Sequence, residues 1–374
     1  MSARAYRRYA SLARHEDVRG RGGTNVSAPR TDDVLRGAGV VALKSDEVSR
    51  HAVRLVSIAR GDDRIAITRF AKLPELLRAG DLVVVNDAAT LPGSLRGETS
   101  RGEPFELRLS GPIEADRLVG VLFGPGDHRT RTEYRPAPPS IPVGEHVLVG
   151  ALTARVTSRI GRRVELVTDE TGAALWQAIY ASGAPVQYAH RSELLPLYAV
   201  QTAYAARPWA AEMPSAGRPL TWEVLLGLRR SGVEIASLTH AAGLSSTGDD
   251  ELDRALPWPE RYEIPRRTVE LIAATRARGG RVIAIGTTVV RALESAAVLD
   301  GKIEAGSGIA TLRLDADYPL RVVDGLVSGL HSPGESHFDL LSAFAPRERL
   351  ARAIELAAAE GLSSHELGDT CLIL

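Results

Sequence analysis

The chain has a single cysteine in 374 residues, Cys371, which excludes an intrachain disulfide and a thiolate metal cluster. Cys371 sits in an apolar tail, "DTCLIL", and is expected to be a packed strand residue rather than a nucleophile. Lysine is almost missing as well. Lys44, Lys72 and Lys302 are the whole complement, so the 46 basic residues are nearly all guanidinium. A GC-rich genome accounts for that bias, and so would phosphate recognition by forked donors. No charge excess exists, 46 basic against 46 acidic residues, which excludes a global nucleic-acid signature but leaves room for a local basic patch. No uninterrupted apolar run is long enough to cross a bilayer, and "MSARAYRRYASLARHEDVRG" lacks the apolar core of a secretory signal. A cytoplasmic protein without membrane association is therefore expected. HExxH, Walker, CxxC and GxSxG motifs are also missing, so no metal site and no prosthetic group is expected.

What is present is enough apolar residue, 44%, in a chain long enough for two domains. Residues 1–30 carry seven arginines, two acids and glycines at 20, 22 and 23, and read as a flexible basic arm. Regular structure is expected from about residue 50, where "AVRLVSIARGDDRIAITRF" predicts a hairpin around Gly61-Asp62-Asp63. "KLPELLRAGDLVVVNDA" predicts a short helix, a stop at Gly80 and a buried valine strand. Residues 93–168 hold many short strands with Gly- and Pro-rich turns, which suggests a small antiparallel barrel or sandwich. From about 170 helices alternate with buried strands. Thr221 is placed to cap "LTWEVLLGLRRSG", "VEIASLTH" reads as a strand, Pro265 opens "PRRTVELIAATRARGG", and "RVIAIG" precedes the helix "TTVVRALESAA". The resulting map is an α/β main domain, residues 31–92 and 169–374, interrupted by a β-rich insertion at 93–168.

In α/β folds ligands gather at the carboxyl ends of strands. Three such ends are polar here: Asn86-Asp87, Thr239-His240 and Gly286-Thr287-Thr288. At the last, a helix N-terminus offers free N–H groups and a positive dipole end to a carboxylate or phosphate, with Arg291 one turn along. The structural alternative is that a threonine merely caps the helix while Arg291 pairs with Glu294. His331 and His337 flank a Pro-Gly turn before a helix from about Ser336; either is a possible acid or base, or a structural histidine.

Taken together these segments resemble the QueA family, the S-adenosylmethionine:tRNA ribosyltransferase-isomerases of queuosine biosynthesis, over roughly residues 50–374. "VIAIGTTVVRALESAA" is close to the family's V-I-A-V-G-T-T-S-V-R-x-L-E-S-A-A. "LLRAGDLVVVNDAATLPGSLRG", "VQTAYAARPWAAEMPSAG", "VVDGLVSGLHSPGESHFDLLSAFA" and "LSSHELGDTCLIL" follow further family patterns in order. The resemblance implies a distorted α/β barrel-like main domain with an inserted six-stranded antiparallel β-barrel. It implies S-adenosylmethionine as co-substrate and tRNA as partner, in a protein expected to be a monomer. The reaction transfers and isomerises the ribosyl group onto a 7-aminomethyl-7-deazaguanine base in tRNA, giving epoxyqueuosine, with release of adenine and methionine. On this basis His331, Glu260 and His240 are candidate catalytic residues. Gly286, Thr287, Thr288, Arg291, Asn86, Asp87, Glu106 and Asp324 are candidate substrate contacts, Glu106 matching the family's glutamate in G-x-x-E-V-L-V.

The departures concentrate in polar positions. Ala89 and Ser94 replace two family arginines, and Pro219, Ala241 and Trp258 replace three histidines, with His240 one place early; His331 alone is in register. Proline cannot transfer a proton, and a one-residue shift on a strand turns a side chain to the opposite face. The altered loops leave two other readings open: a relative acting on a small-molecule acceptor, and a non-catalytic ligand binder.

Overall fold

The run Leu82–Asn86, LVVVN, is buried at every position, and its place in the middle of a sheet explains why. The computed structural model describes residues 50–189, 192–297, 301–364 and 367–374. The basic arm expected at 1–30, and the start of the main domain at 31–49, lie outside the described residues. In space Leu82–Asn86 runs parallel to Glu234–His240 on one side and to Val282–Ile285 on the other, and Val282–Ile285 is parallel to Gly325–Gly329. These four strands form the centre of a nine-stranded mixed sheet. Beyond Gly325–Gly329 come Thr370–Ile373, antiparallel to it, and then the hairpin Arg54–Ile58 with Ile65–Arg69. The other flank is Glu260–Ile264 and Gly306–Ala310, both antiparallel.

Alternation along each strand divides the core into two layers. Leu82, Val84, Leu238, Val282, Ala284 and Leu326 pack with Leu271, Val289, Leu293 and Phe338. Those partners belong to the helices Arg266–Ala277, Thr287–Ala296 and Ser336–Ser342. Val83, Val85, Ile283, Ile285 and Val327 pack on the other face with Leu73, Val224 and Leu228. Burial on both faces is what makes parallel strands read as continuous apolar runs. Thr221 accepts the Val224 N–H and so caps Trp222–Arg230, as its position in the sequence suggests. Cys371 is buried in the Thr370–Ile373 strand, where burial pushes its thiol up to about 12.

The chain leaves the sheet after Leu82–Asn86 and returns at Glu234–His240. Between them six antiparallel strands close a barrel in the order Arg163–Thr168, Arg117–Phe123, Pro104–Leu109, Ser94–Glu98, His146–Val149, Leu152–Ile160. A mixed α/β fold carrying a closed six-stranded antiparallel barrel is thus what the molecule has. The barrel core reaches beyond its own strands, because Leu91 and, from the helix Gly172–Ser182, Leu175 and Ile179 fill it. Among the described residues no helix is long and apolar enough to cross a membrane, and no group of three or more His, Cys, Asp or Glu side chains is placed to hold a metal ion.

Candidate active site at the carboxyl edge of the parallel strands

Four parallel strands end side by side, and their ends carry Asn86, His240, Gly286 and Gly329. Asn86 ties them together. Its Nδ2 donates to the His240 carbonyl at 3.0 Å and reaches Thr288 Oγ1 at 3.4 Å, while its Oδ1 accepts the N–H groups of His240 at 2.9 Å and Ala88 at 3.0 Å. Gly286 donates its N–H to Val327 and takes φ +93°, a left-handed conformation that a side chain would strain, to turn the strand into the helix. Neither threonine caps that helix; Gly286 occupies the N-cap position, and Thr287 and Thr288 are both half-buried at the edge. The first-turn N–H groups therefore have no side-chain cap competing with a ligand.

Arg291 pairs with Glu260, not with Glu294. Its remaining donors go to the carbonyls of Leu312 at 3.2 Å, Trp258 at 3.3 Å and Ala310 at 3.1 Å, and the residue is 5% exposed. Burial, and then the nearby Arg313 charge, lower its pKa to about 10. Arg291 is thus engaged with protein groups through each of its guanidinium nitrogens. Glu294 instead accepts three consecutive N–H groups, of Arg321, Val322 and Val323, each at 3.0 Å.

His240 shows the consequence of its one-residue shift. Thr239 turns its hydroxyl to Asp87 Oδ1 at 2.6 Å, and His240 points the other way, its Nε2 lying 3.5 Å from Glu260 Oε2. The ring is fully buried, and among the described residues neither ring nitrogen has a hydrogen-bond partner. Burial first, and Arg291 second, push its pKa down to about 3, so the imidazole is neutral. Glu260 Oε1 accepts the Gly243 N–H at 2.6 Å, and a Cβ on Gly243 would sit a tight 3.0 Å from that oxygen.

His331 follows Gly325–Gly329 at the same edge. Its Nδ1 lies 3.3 Å from Glu335 Oε2, and its ring stacks on His337 at 4.6 Å. His337 is held neutral, near pKa 3, by burial and then by the His331 charge. Asp87 is at the edge, but its two oxygens are taken by Thr239 and by Ser237 Oγ at 2.9 Å.

Two expected contacts are elsewhere. Asp324 accepts the Val282 N–H at 2.8 Å, at the start of the strand whose other end is Gly286, roughly 13 Å away at about 3.3 Å per residue. Glu106 lies inside the barrel domain and is buried between Arg108 at 2.7 Å and Arg135 at 2.6 Å, with Ser94 Oγ at 2.8 Å. Burial alone would raise its carboxyl, but the two guanidinium groups hold it below the usual range. Asp324 thus lies at the opposite end of its strand from the Gly286 turn, and Glu106 is held inside the barrel by two guanidinium groups.

One edge thus gathers the helix N-terminus, the two threonines, a paired carboxylate and a histidine. A family model described as "Queuosine biosynthesis protein" matches residues 40–373. The chain belongs to that family. Among its relatives is the S-adenosylmethionine:tRNA ribosyltransferase-isomerase of Anaeromyxobacter sp. (strain K), 35% identical over 333 residues, covering 87% of this chain and 93% of that protein. The protein of the same name from Thermus thermophilus is 34% identical over 344 residues, with the same shares covered. A crystal structure of S-adenosylmethionine tRNA ribosyltransferase from Thermotoga maritima, at 24% identity, covers 87% of this chain and 94% of that one with a TM-score of 0.47.

Within this queuosine-family chain, residues 211–217 complete the edge. Ala211 donates to the Ala242 carbonyl, while Ala216 lies 3.8 Å from where a Cβ of Gly286 would be. This segment therefore spans from the 241–246 loop to the Gly286 turn. It carries Glu212, which sequence reasoning passed over. The available signal was an acid inside "WAAEMPSAG", where the family pattern V-A-A-P-T-A-G has none. Trp258, standing where the family has histidine, is packed toward Val121, Phe123 and Tyr188, with Arg163 5.1 Å above its ring.

Proposed function

We propose that this protein is an S-adenosylmethionine:tRNA ribosyltransferase-isomerase, acting in the cytoplasm on tRNA that carries 7-aminomethyl-7-deazaguanine. The observation that carries the reading is the length of the match: relatives of that name are 32–35% identical, and the chain covers 93–94% of them. The edge built by Asn86, Thr287, Thr288 and the uncapped helix agrees with it. Such a site suits the methionine carboxylate or the ribose hydroxyls of the co-substrate.

In this reading Thr287 and Thr288 bind S-adenosylmethionine, and His331, oriented by Glu335, takes the proton from the carbon beside the sulfonium. Glu260 and Arg291 are positioning residues that fix the Gly243 loop to the helix. His240, neutral and enclosed, packs behind that pair. The segment 93–168 is an inserted domain, closed at its end by the helix Gly172–Ser182, and the enzyme works as a monomer.

The test is adenine release from S-adenosylmethionine in the presence of tRNA bearing the aminomethyl-deazaguanine base. No adenine above a no-enzyme control, with an active family enzyme alongside, overturns the reading. Release with the free base but not with the tRNA moves the acceptor to a small molecule.

A further inference from the structure

The loop after His240 holds a second carboxyl group. Glu260 Oε1 accepts the N–H of Gly243 at 2.6 Å, and Glu212 Oε1 accepts the N–H of Ser245, two residues on, also at 2.6 Å. Ser245 Oγ adds a contact at 3.1 Å, and the Tyr188 hydroxyl donates to the same oxygen. Tyr188 OH also accepts the Ser246 N–H at 3.2 Å, so the phenol is anchored from the loop side. The guanidinium of Arg108 lies 5.3 Å from the Tyr188 ring. Through these contacts Glu212 Oε1 is fully committed, whereas Oε2 accepts no hydrogen bond among the described residues, and the residue as a whole is half-buried. The two loop N–H groups are at most roughly 7 Å apart, so one short stretch of the loop is held by both carboxyl groups.

The contrast between the two carboxyl groups is chemical. Glu260 is paired with Arg291, an arrangement that keeps a carboxylate as an acceptor. Among the described residues Glu212 touches no cation. Burial raises its carboxyl above the ordinary value, opposed by the Tyr188 and Ser245 hydrogen bonds and by the more distant Arg108. The titratable and charged groups facing it are Tyr188, Arg108 from Pro104–Leu109 and, beyond Ser246, Asp253. His240 and His337, neutral with values near 3, carry no proton to give.

We infer that Glu212 is the acid that protonates the departing adenine, with Oε2 facing the base and Oε1 held by Tyr188 and Ser245. This deepens the ribosyltransferase reading and rests on it. The bond between ribose carbon and adenine nitrogen breaks with its electron pair on adenine, the ribose ring oxygen supplies a pair to the carbon that adenine leaves, drawing on the pair freed when the proton beside the sulfonium is removed, and a ring nitrogen of adenine takes the Glu212 proton. Glu212 is left as a carboxylate, stabilised by Tyr188 and Ser245, and recovers its proton from water.

Two measurements separate failure of the inference from failure of the reading. In the first, adenine alone is titrated calorimetrically into the full-length protein across about pH 5 to 9. Binding should weaken by up to about tenfold per pH unit above the Glu212 titration, with proton uptake, because only the acid donates to the ring. E212Q, which keeps an N–H donor but cannot titrate, should bind with no pH dependence. Y188F, which removes a donor that favours the carboxylate, should move the transition to higher pH. Wild-type binding that ignores pH, or a transition left in place in both variants, overturns the inference whether or not turnover is found. In the second, E212Q should release adenine at least about 100-fold more slowly and lose the alkaline limb of the rate profile. An E212Q rate and profile equal to the wild type overturn the inference while leaving the reading intact. An inactive wild type sinks the reading, and the adenine titration still decides the role of Glu212.

Discussion

Asn86 and His240 hold each other by two hydrogen bonds, the carboxamide donating to the His240 carbonyl at 3.0 Å and accepting the His240 N–H at 2.9 Å. This reciprocal pair locks the ends of two neighbouring parallel strands. It also fixes which face His240 occupies.

Removing it should therefore be costly. Asn86→Ala leaves the buried N–H groups of His240 and Ala88 without their acceptor, while the His240 carbonyl keeps the Ala242 N–H, and should destabilise the protein by about 2–4 kcal/mol. A denaturant midpoint equal to the wild type's, at the same slope, would show that the carboxamide does not carry the edge.

The Arg291–Glu260 pair is the second test. Arg291→Met strands a carboxylate that is only 9% exposed and should cost about 3–5 kcal/mol. The double variant Arg291→Met with Glu260→Gln should recover part of that loss, since both charges then leave together. A double variant as unstable as the sum of the two single changes would mean that the ion pair is not coupled.

Acid stability follows from the histidines. His240 and His337 have folded values near 3, below the ordinary 6.5 of an unfolded chain. The unfolded state therefore binds more protons between those limits. The stability these groups contribute is complete above about pH 6.5 and is lost as pH falls toward 3, at up to about 1.4 kcal/mol per pH unit for each. Between pH 7 and 5 thermal unfolding should move steeply downward, and replacing both rings by Gln should flatten that slope. A slope unchanged by the double replacement would contradict the burial argument.

Glu106 supplies the fourth prediction. Glu106→Gln leaves the buried guanidinium groups of Arg108 and Arg135 without their carboxylate, so it should cost about 3–5 kcal/mol while S-adenosylmethionine affinity in the folded protein stays within about twofold. A large loss of affinity with stability unchanged would return Glu106 to the binding site.

The sheet was legible because apolar runs bounded by glycine and helical periods leave little choice: Leu82–Asn86, Glu234–His240 and Val282–Ile285 all lie where their patterns place them. The hairpin at Gly61 and the Thr221 cap were legible for the same local reasons, whereas short strands at 93–168 left barrel or sandwich open and only the family resemblance implied the closed barrel. Family resemblance added the carboxyl edge as the place to look. The assignment of charged side chains was not legible in the same way. Arg291 could as well have paired with Glu294, three residues along the same helix, as with Glu260 on a distant strand.

Sequence by itself determined the elements, the family and the group of residues at strand ends, because each depends on local pattern or on ordered motifs. Tertiary structure alone decided where the side chains sit and what they touch. Strand direction sent Asp324 to the far end of the sheet, barrel closure buried Glu106, and strand alternation turned His240 away from Asp87 toward Glu260. The same packing brought Glu212 to the loop that holds Glu260. A side chain's chemistry depends on its solvation and its charged neighbours, and those are set by segments far apart in the chain.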